Sequence, residues 1–194
     1  MSKVAHYFIA IKLSKEMKHA LRDLQHRLID DVSYKEWVHE QDFHITLTFL
    51  GPANENIMTS LIKQLEQELL EKPFDLHITN VHTFGAPKQP RVLWLGIEAT
   101  KTLNNLQQLV DSIAEQHGFP REKRSYTPHI TLAKKWKDHS KTVELKAIQQ
   151  KTDFPLEYVH VQHIAVYQIF PQEHPKYVPI HMIDLRSDYL GTTD

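Results

Sequence analysis

Two copies of the tetrapeptide HITL, at His44–Leu47 and His129–Leu132, hold the side chains in this sequence best suited to acid–base chemistry. On an extended strand, residues i and i+2 share a face. Each copy therefore presents an imidazole beside a hydroxyl, His44 with Thr46 and His129 with Thr131. The same alternation assigns Ile45, Leu47 and Phe49 to the opposite face of the first strand, and Ile130 and Leu132 to that of the second. Imidazole changes charge near pH 6.5, so of two facing imidazoles one can take a proton while the other gives one. Threonine hydroxyls can donate to the non-bridging oxygens of a phosphate held between them. Together with nearby cations, that is equipment for metal-free, in-line displacement at phosphorus.

A repeated word could be accident in a chain with 14 histidines, and a lone histidine there is by default a surface or satisfied core residue. The spacing argues otherwise. Shifted by 85 positions, His44 falls on His129, Thr46 on Thr131 and Leu47 on Leu132, while Phe8 falls on Leu93. The helical stripe Leu21, Leu24, Leu28 falls on Leu106, Leu109, Ile113 at the same shift. At a shift of 80, "FDLHITNV" covers "FPLEYVHV". One unit, strand–helix–HITL strand–helix–strand, thus recurs over about 8–85 and 93–170. Two such units packed about a pseudo-two-fold axis would bring both HITL strands to one cleft. A third HIT, at His77–Thr79, has no counterpart, since His77 falls on Glu157. His160 and His163 are three apart on a strand and so on opposite faces, a poor pair for a metal.

The elements needed to position the motifs can be read coarsely. "HYFIAIKL", "DFHITLTFLG", "FDLHITNVHTFG", "RVLWLGIEA", "YTPHITLAKKW" and a long "FPLEYVHVQHIAVYQIF" read as strands, with "KYVPIHMIDL" closing. Helices are expected from Ser14, over "NENIMTSLIKQLEQELLEK", over "TLNNLQQLVDSIAEQHG" and over "KTVELKAIQQ". Residues 1–186 form one bilobal domain on this reading, and 187–194 a flexible tail. No cysteine is present, which removes disulfides, thiol nucleophiles and thiolate metal sites. With only five glycines there is no Gly-rich phosphate loop, dinucleotide fingerprint or nucleophile elbow. Nothing reads as a secretory signal or a membrane span, so a cytoplasmic monomer without membrane, metal or cofactor is the expectation.

The net charge of −1 excludes a globally basic coat, but residues 121–141 carry seven Lys/Arg against Glu122 and Asp138. That local excess surrounds the second HITL and favours RNA as partner. Phe8, Trp94, Tyr126 and Trp136 are aromatic candidates for stacking on a base, and Arg91 is a further candidate substrate contact.

At these residues the chain resembles a known family. "HITLTFLG" and "PHITLAK" are similar to the two HxTx motifs of the two-histidine phosphoesterase superfamily, and above all of its bacterial RNA 2′,3′-cyclic phosphodiesterases, historically called 2′-5′ RNA ligases. "YFIAIKLS", "FGAPKQPRVLWLGI" and "GFPREKRSYTPHITLAK" extend the likeness over nearly the whole chain. The resemblance implies an α+β fold of two pseudo-symmetric lobes, each an antiparallel sheet backed by helices, around a central cleft. It implies opening of terminal 2′,3′-cyclic phosphates on RNA to 2′-phosphomonoesters, with RNA ends or cyclic nucleotides as substrate. It makes His44 the proton donor, His129 the acceptor, and Thr46 and Thr131 the phosphate contacts. The family usually has arginine where Lys134 stands, so Lys134 inherits the phosphate role without the bidentate fork. Lys135 and Arg91 are available to share it, and His6 replaces another frequent arginine. Two alternatives stay open: the same chemistry on a small cyclic nucleotide or ADP-ribose cyclic phosphate, and a non-catalytic module that binds RNA ends or phosphate.

Overall fold

The computed structural model describes residues 4–186; the expected tail at 187–194 lies outside them. Its strands are β1 (His6–Lys12), β2 (Tyr34–Trp37), β3 (His44–Pro52), β4 (Phe74–Gly85), β5 (Pro90–Ile97), β6 (His129–Trp136), β7 (Tyr158–Val161), β8 (His163–Ile169) and β9 (Tyr177–Asp184). Its helices are α1 (Lys15–Leu28), α2 (Glu55–Glu68), α3 (Lys101–Gln116) and α4 (Leu145–Lys151), with a 3₁₀ turn at Glu40–Asp42.

Three of the helices start where a side-chain oxygen can satisfy an orphan amide. Ser14, Asn54 and Thr100 accept from the backbone N–H of Met17, Ile57 and Leu103. Their apolar stripes then meet one face of the sheet: Leu21, Leu24 and Leu28 of α1, Leu61 and Leu65 of α2, and Leu103, Leu106 and Val110 of α3 are all fully buried. Each such leucine contributes about 2 kcal/mol by leaving water. The buried stripes of α1 and α3 match at an offset of 82, one turn short of the 85 that relates the HITL strands. Leu109, the partner of Leu24 at 85, is only half-buried.

All pairings are antiparallel, and the strand order is β7-β4-β5-β6-β3-β1-β8-β9, with β2 added alongside β6. The order reads alike from either edge inward, motif strand next to motif strand at the centre. There β3 and β6 pair only through Ile45 and Ile130, so the sheet parts on either side of that contact and forms the two lobes.

The lobes exchange elements. β4, from the first half of the chain, sits beside β5, and β8, from the second, sits beside β1. Helices cross over too: Gln25 of α1 bonds the Leu132 carbonyl of β6, and Asp111 of α3 bonds Thr48 of β3. The single long strand expected over 154–170 is broken at Gln162. Before the break β7 pairs with β4, and after it β8 pairs with β1, so one run of sequence serves both lobes.

Candidate active site

Strict alternation holds along β3 only as far as Thr46. The partner register jumps from Ala10↔Thr46 to Ile9↔Thr48, leaving Leu47 as an extra residue. On β6 it jumps from Trp94↔Thr131 to Leu93↔Ala133, leaving Leu132. These are equivalent β-bulges at the same place in both motifs. Each buries two consecutive residues, Leu47 with Thr48 and Leu132 with Ala133, and so reverses the facing of the residues that follow, on β3 as far as a second register shift at Leu50. Phe49, expected on the buried face with Ile45 and Leu47, is 59% exposed and lines the cleft instead. In the other half Lys134 takes the equivalent position, on the same cleft as His129 and Thr131.

The carbonyl at each bulge is bonded by a buried glutamine reaching out of a helix. Gln25 Nε2 donates to Leu132 O at 2.8 Å, and Gln107 Nε2 to Leu47 O at 3.4 Å. Leu132 O also accepts from Val38 N, which ties the end of β2 to the motif.

Both imidazoles are oriented in the same way. His44 Nδ1–H donates to the carbonyl of Asp42 at 2.6 Å, and His129 Nδ1–H to that of Thr127 at 2.7 Å. A carbonyl can only accept, so the proton of each neutral ring lies on Nδ1 and the Nε2 lone pair faces the cleft. Their surroundings differ. Thr46 donates its hydroxyl to His44 Nε2 at 3.0 Å, while His129 Nε2 has no hydrogen-bond partner among the described residues. Phe8 and Tyr177 wall in His44, with ring centroids at 4.7 and 5.3 Å. Phe84 and Trp94 meet His129 in T-shaped contacts, with ring centroids at 5.2 and 5.4 Å. Burial pushes the His44 imidazole down to about 4, opposed by its bond to Asp42 and helped by the charge of Lys134. Burial lowers His129 too, and again Lys134 adds to the effect. Lys134 itself is held below the usual lysine range by burial and by the nearby Lys176 charge.

A cleft of about 490 Å³ joins these groups, lined among others by Phe8, His44, Thr46, Phe49, His129, Thr131, Lys134 and Tyr177. It lies in the size range of small-ligand sites. Two threonine hydroxyls, two imidazoles and an ammonium with no ion-pair partner among the described residues converge there, a donor-rich setting for an anion.

The remaining candidates are placed elsewhere. Tyr126 packs against the core and donates its hydroxyl to Thr46 O at 3.1 Å. Trp94 is buried beside Thr131 and Arg91 is exposed, but neither lines the cleft. Lys135 is spent on Glu36 at 2.5 Å, and Trp136 packs edge-on against Tyr34. Of the seven Lys/Arg in the stretch at 121–141, only Lys134 lines the cleft; Arg121 faces Asp111 and Glu115, and Arg124 bonds Glu122. His77 is exposed, 3.9 Å from Glu98. His160 and His163 each meet one aspartate, and no group of three metal-ligating side chains converges among the described residues.

A model of the 2′-5′ RNA ligase superfamily matches residues 11–169. The chain belongs to that superfamily. Its relatives include a protein of Bacillus subtilis named RNA 2′,3′-cyclic phosphodiesterase, 37% identical over 136 residues, covering 68% of this chain and 72% of the relative. Another of that name, from Geobacillus stearothermophilus, is 36% identical over 135 residues, or 69% of this chain; the match spans only 43% of that longer protein. Among solved structures, LigT of E. coli complexed with 3′-AMP superposes with a TM-score of 0.76 at 20% identity, covering 95% of this chain and all of LigT. TT0787 of Thermus thermophilus gives 0.70 at 20% identity, covering 95% of this chain and 100% of that one. These neighbours show a shared fold. Superfamily membership and an antiparallel α+β architecture agree with the expectation from the two HxTx motifs.

Several cleft residues escape a reading by alternation alone. Phe49 does so because a bulge is invisible in the hydrophobic pattern. Asp42 is 4% exposed, and its carboxylate holds the backbone N–H groups of Lys176 and Tyr177, both at 3.0 Å. Its signal in the sequence is slight, an acid two residues before the first histidine. Lys18, buried in α1, anchors the same turn by donating to Gln41 O at 2.6 Å.

Proposed function

We propose that the protein opens 2′,3′-cyclic phosphate ends of RNA to 2′-phosphomonoesters, with His44 as general acid and His129 as general base. The observation that carries this reading is the matched pair of Nδ1–H bonds to Asp42 O and Thr127 O, which aims two Nε2 atoms into one cleft beside Thr46, Thr131 and Lys134. The names of the curated relatives support the same activity.

In this mechanism the cyclic phosphate lies between the two threonines with Lys134 on a non-bridging oxygen. His129 Nε2, without a hydrogen-bond partner among the described residues, takes a proton from the attacking water as the water oxygen bonds to phosphorus. The P–O3′ bond breaks in line, and His44 Nε2–H delivers its proton to the departing 3′ oxygen. Water supplies the oxygen added to phosphorus, and the ribose regains its 3′ hydroxyl. Thr46, already bonded to His44 Nε2, keeps that ring aligned between donor and acceptor states. The exposed ring of Phe49 at the mouth offers a face for the terminal base.

The free protein holds His44 neutral near pH 7, so the acid form must be populated on binding. An anionic phosphate does this, because opposite charge raises an imidazole pKa. The test is incubation with oligonucleotides ending in 2′,3′-cyclic phosphate, in EDTA, with the product isomer identified. A 2′-phosphate is expected, and His129→Ala should abolish its formation. A 3′-phosphate would reverse the assignment of the leaving oxygen, and tight binding without turnover would leave a binding module.

A further inference from the structure

The proposed catalytic set accounts for only part of the cleft lining. Lys35 and His39, on and after β2, and His174 and Lys176, just before β9, line the same cleft. We propose that Lys35 and Lys176 form a second anion subsite, which takes the phosphate on the 5′ oxygen of the terminal nucleoside. This rests on the phosphodiesterase reading and sharpens it, because a free cyclic nucleotide has no such phosphate and an RNA end does.

Three observations meet here. First, Lys176 is fixed in place: its N–H and that of Tyr177 are both bonded to the buried carboxylate of Asp42. Second, neither Lys35 nor Lys176 has a side-chain hydrogen bond or ion pair among the described residues. The two carboxylates lining the cleft are hydrogen-bonded to other groups, Glu36 to Lys135 and Asp42 to the backbone at Lys176 and Tyr177, although Glu36 also feels the charges of Lys176 and Lys35. Third, Lys134 lines the same cleft and feels the charge of Lys176. Lys35, Lys134 and Lys176 outnumber Glu36 and Asp42 in the lining, and an excess of like charge in one cleft works against folding and recovers that cost when an anion enters. His39 adds a donor, since its Nδ1 accepts from Gln41 N and leaves Nε2–H outward in the neutral ring.

One phosphate is already matched by Lys134, Thr46 and Thr131, so a second cation pair calls for a second phosphate. With the 2′ and 3′ oxygens closed in the cyclic ester, only the 5′ oxygen of that nucleoside can carry it.

The test compares kcat/KM on three substrates sharing one base: a nucleoside 2′,3′-cyclic phosphate, its 5′-phosphorylated form, and a dinucleotide ending in the same cyclic phosphate. These are measured for the wild type and for Lys35→Met with Lys176→Met. The wild type should prefer the dinucleotide over the mononucleotide by about tenfold, as one charge-assisted contact allows. In the double variant the ratio should fall close to one and its dependence on salt should flatten. Because the readout is a ratio, a general loss of activity does not imitate the effect. No preference in the wild type, or a preference that survives both substitutions, overturns the proposal. A preference for the 5′-phosphorylated mononucleotide alone overturns the RNA-chain form of it. If none of the three substrates is turned over, the phosphodiesterase reading falls and takes this one with it.

Discussion

Gln25 donates its side-chain amide to the carbonyl of Leu132 at 2.8 Å, across 107 residues of sequence, and the bond lies at the one point where β6 departs from alternation. The bulge at Leu132 is what turns Lys134 into the cleft, so this helix residue helps place a cation it does not touch. Gln25→Leu should cost about 1–2 kcal/mol of stability, the usual net worth of a buried hydrogen bond, as read from urea unfolding. It should also raise the inhibition constant for inorganic phosphate. In a Lys134→Met background the same substitution should leave that constant unchanged, because the group it positions is gone. Equal effects in both backgrounds would confine Gln25 to a structural role.

Lys134 itself should behave as a charge at phosphate rather than as a structural lysine. Its ammonium has no hydrogen-bond or ion-pair partner among the described residues, and it remains in the cleft despite partial burial. Lys134→Met should lower kcat/KM by about 10²-fold, the scale of one lost donor at a charge-building oxygen, with little change in unfolding midpoint. Lys134→Arg should retain most of the activity, since guanidinium keeps the charge and adds a fork. Loss as deep in Lys134→Arg as in Lys134→Met would show that ammonium geometry, rather than charge, is required.

How much of this was legible without coordinates depends on what fixes each feature. His44 with Thr46 and His129 with Thr131 follow from period-two alternation over three residues, too short a run for a bulge to intervene. Phe49 and Lys134 lie beyond the bulge, and there alternation gives the wrong face. The aromatic candidates Trp94 and Tyr126 are rich in strand and core propensity, and packing claims both. Lys176 was unreadable because its place depends on Asp42, 134 residues away, through a backbone contact that no pattern records. The swapped strands escaped for a similar reason: "FPLEYVHVQHIAVYQIF" is one apolar run, but Gln162 divides it between two neighbours in the sheet.

The unequal histidines set the pH dependence. Turnover by the proposed route needs His44 protonated and His129 neutral in the same molecule. In the free protein both imidazoles are lowered by burial, His44 to about 4. Above both values the competent fraction falls about tenfold per pH unit, so kcat/KM should peak below pH 6.5 and decline through neutrality. The kcat profile, which reports the complex, should lie at higher pH because bound phosphate raises His44. Lys134→Met removes a cation that depresses both rings and should move the kcat/KM optimum upward. Coincident kcat and kcat/KM profiles would mean that substrate does not set the protonation of His44.

The same burial of His44 should appear in stability. Its folded value, about 4, lies below the ordinary imidazole value near 6.5, so between the two the unfolded chain binds the proton that the folded protein refuses. The contribution to folding is therefore complete above pH 6.5, is lost as pH falls through that window, and levels off below about 4. A difference of this size corresponds to about 3 kcal/mol. Carboxylates also titrate there, so the informative quantity is the difference between wild type and His44→Gln, which removes the titrating ring. Unfolding free energies measured in urea from pH 4 to 7.5 should converge for the two proteins at the acid end if His44→Gln is the less stable at neutral pH, and the wild type should show the steeper slope between about pH 4 and 6.5. Parallel curves would mean that the ring takes up its proton as readily folded as unfolded, and that His44 is far more open to water than its walls of Phe8 and Tyr177 imply.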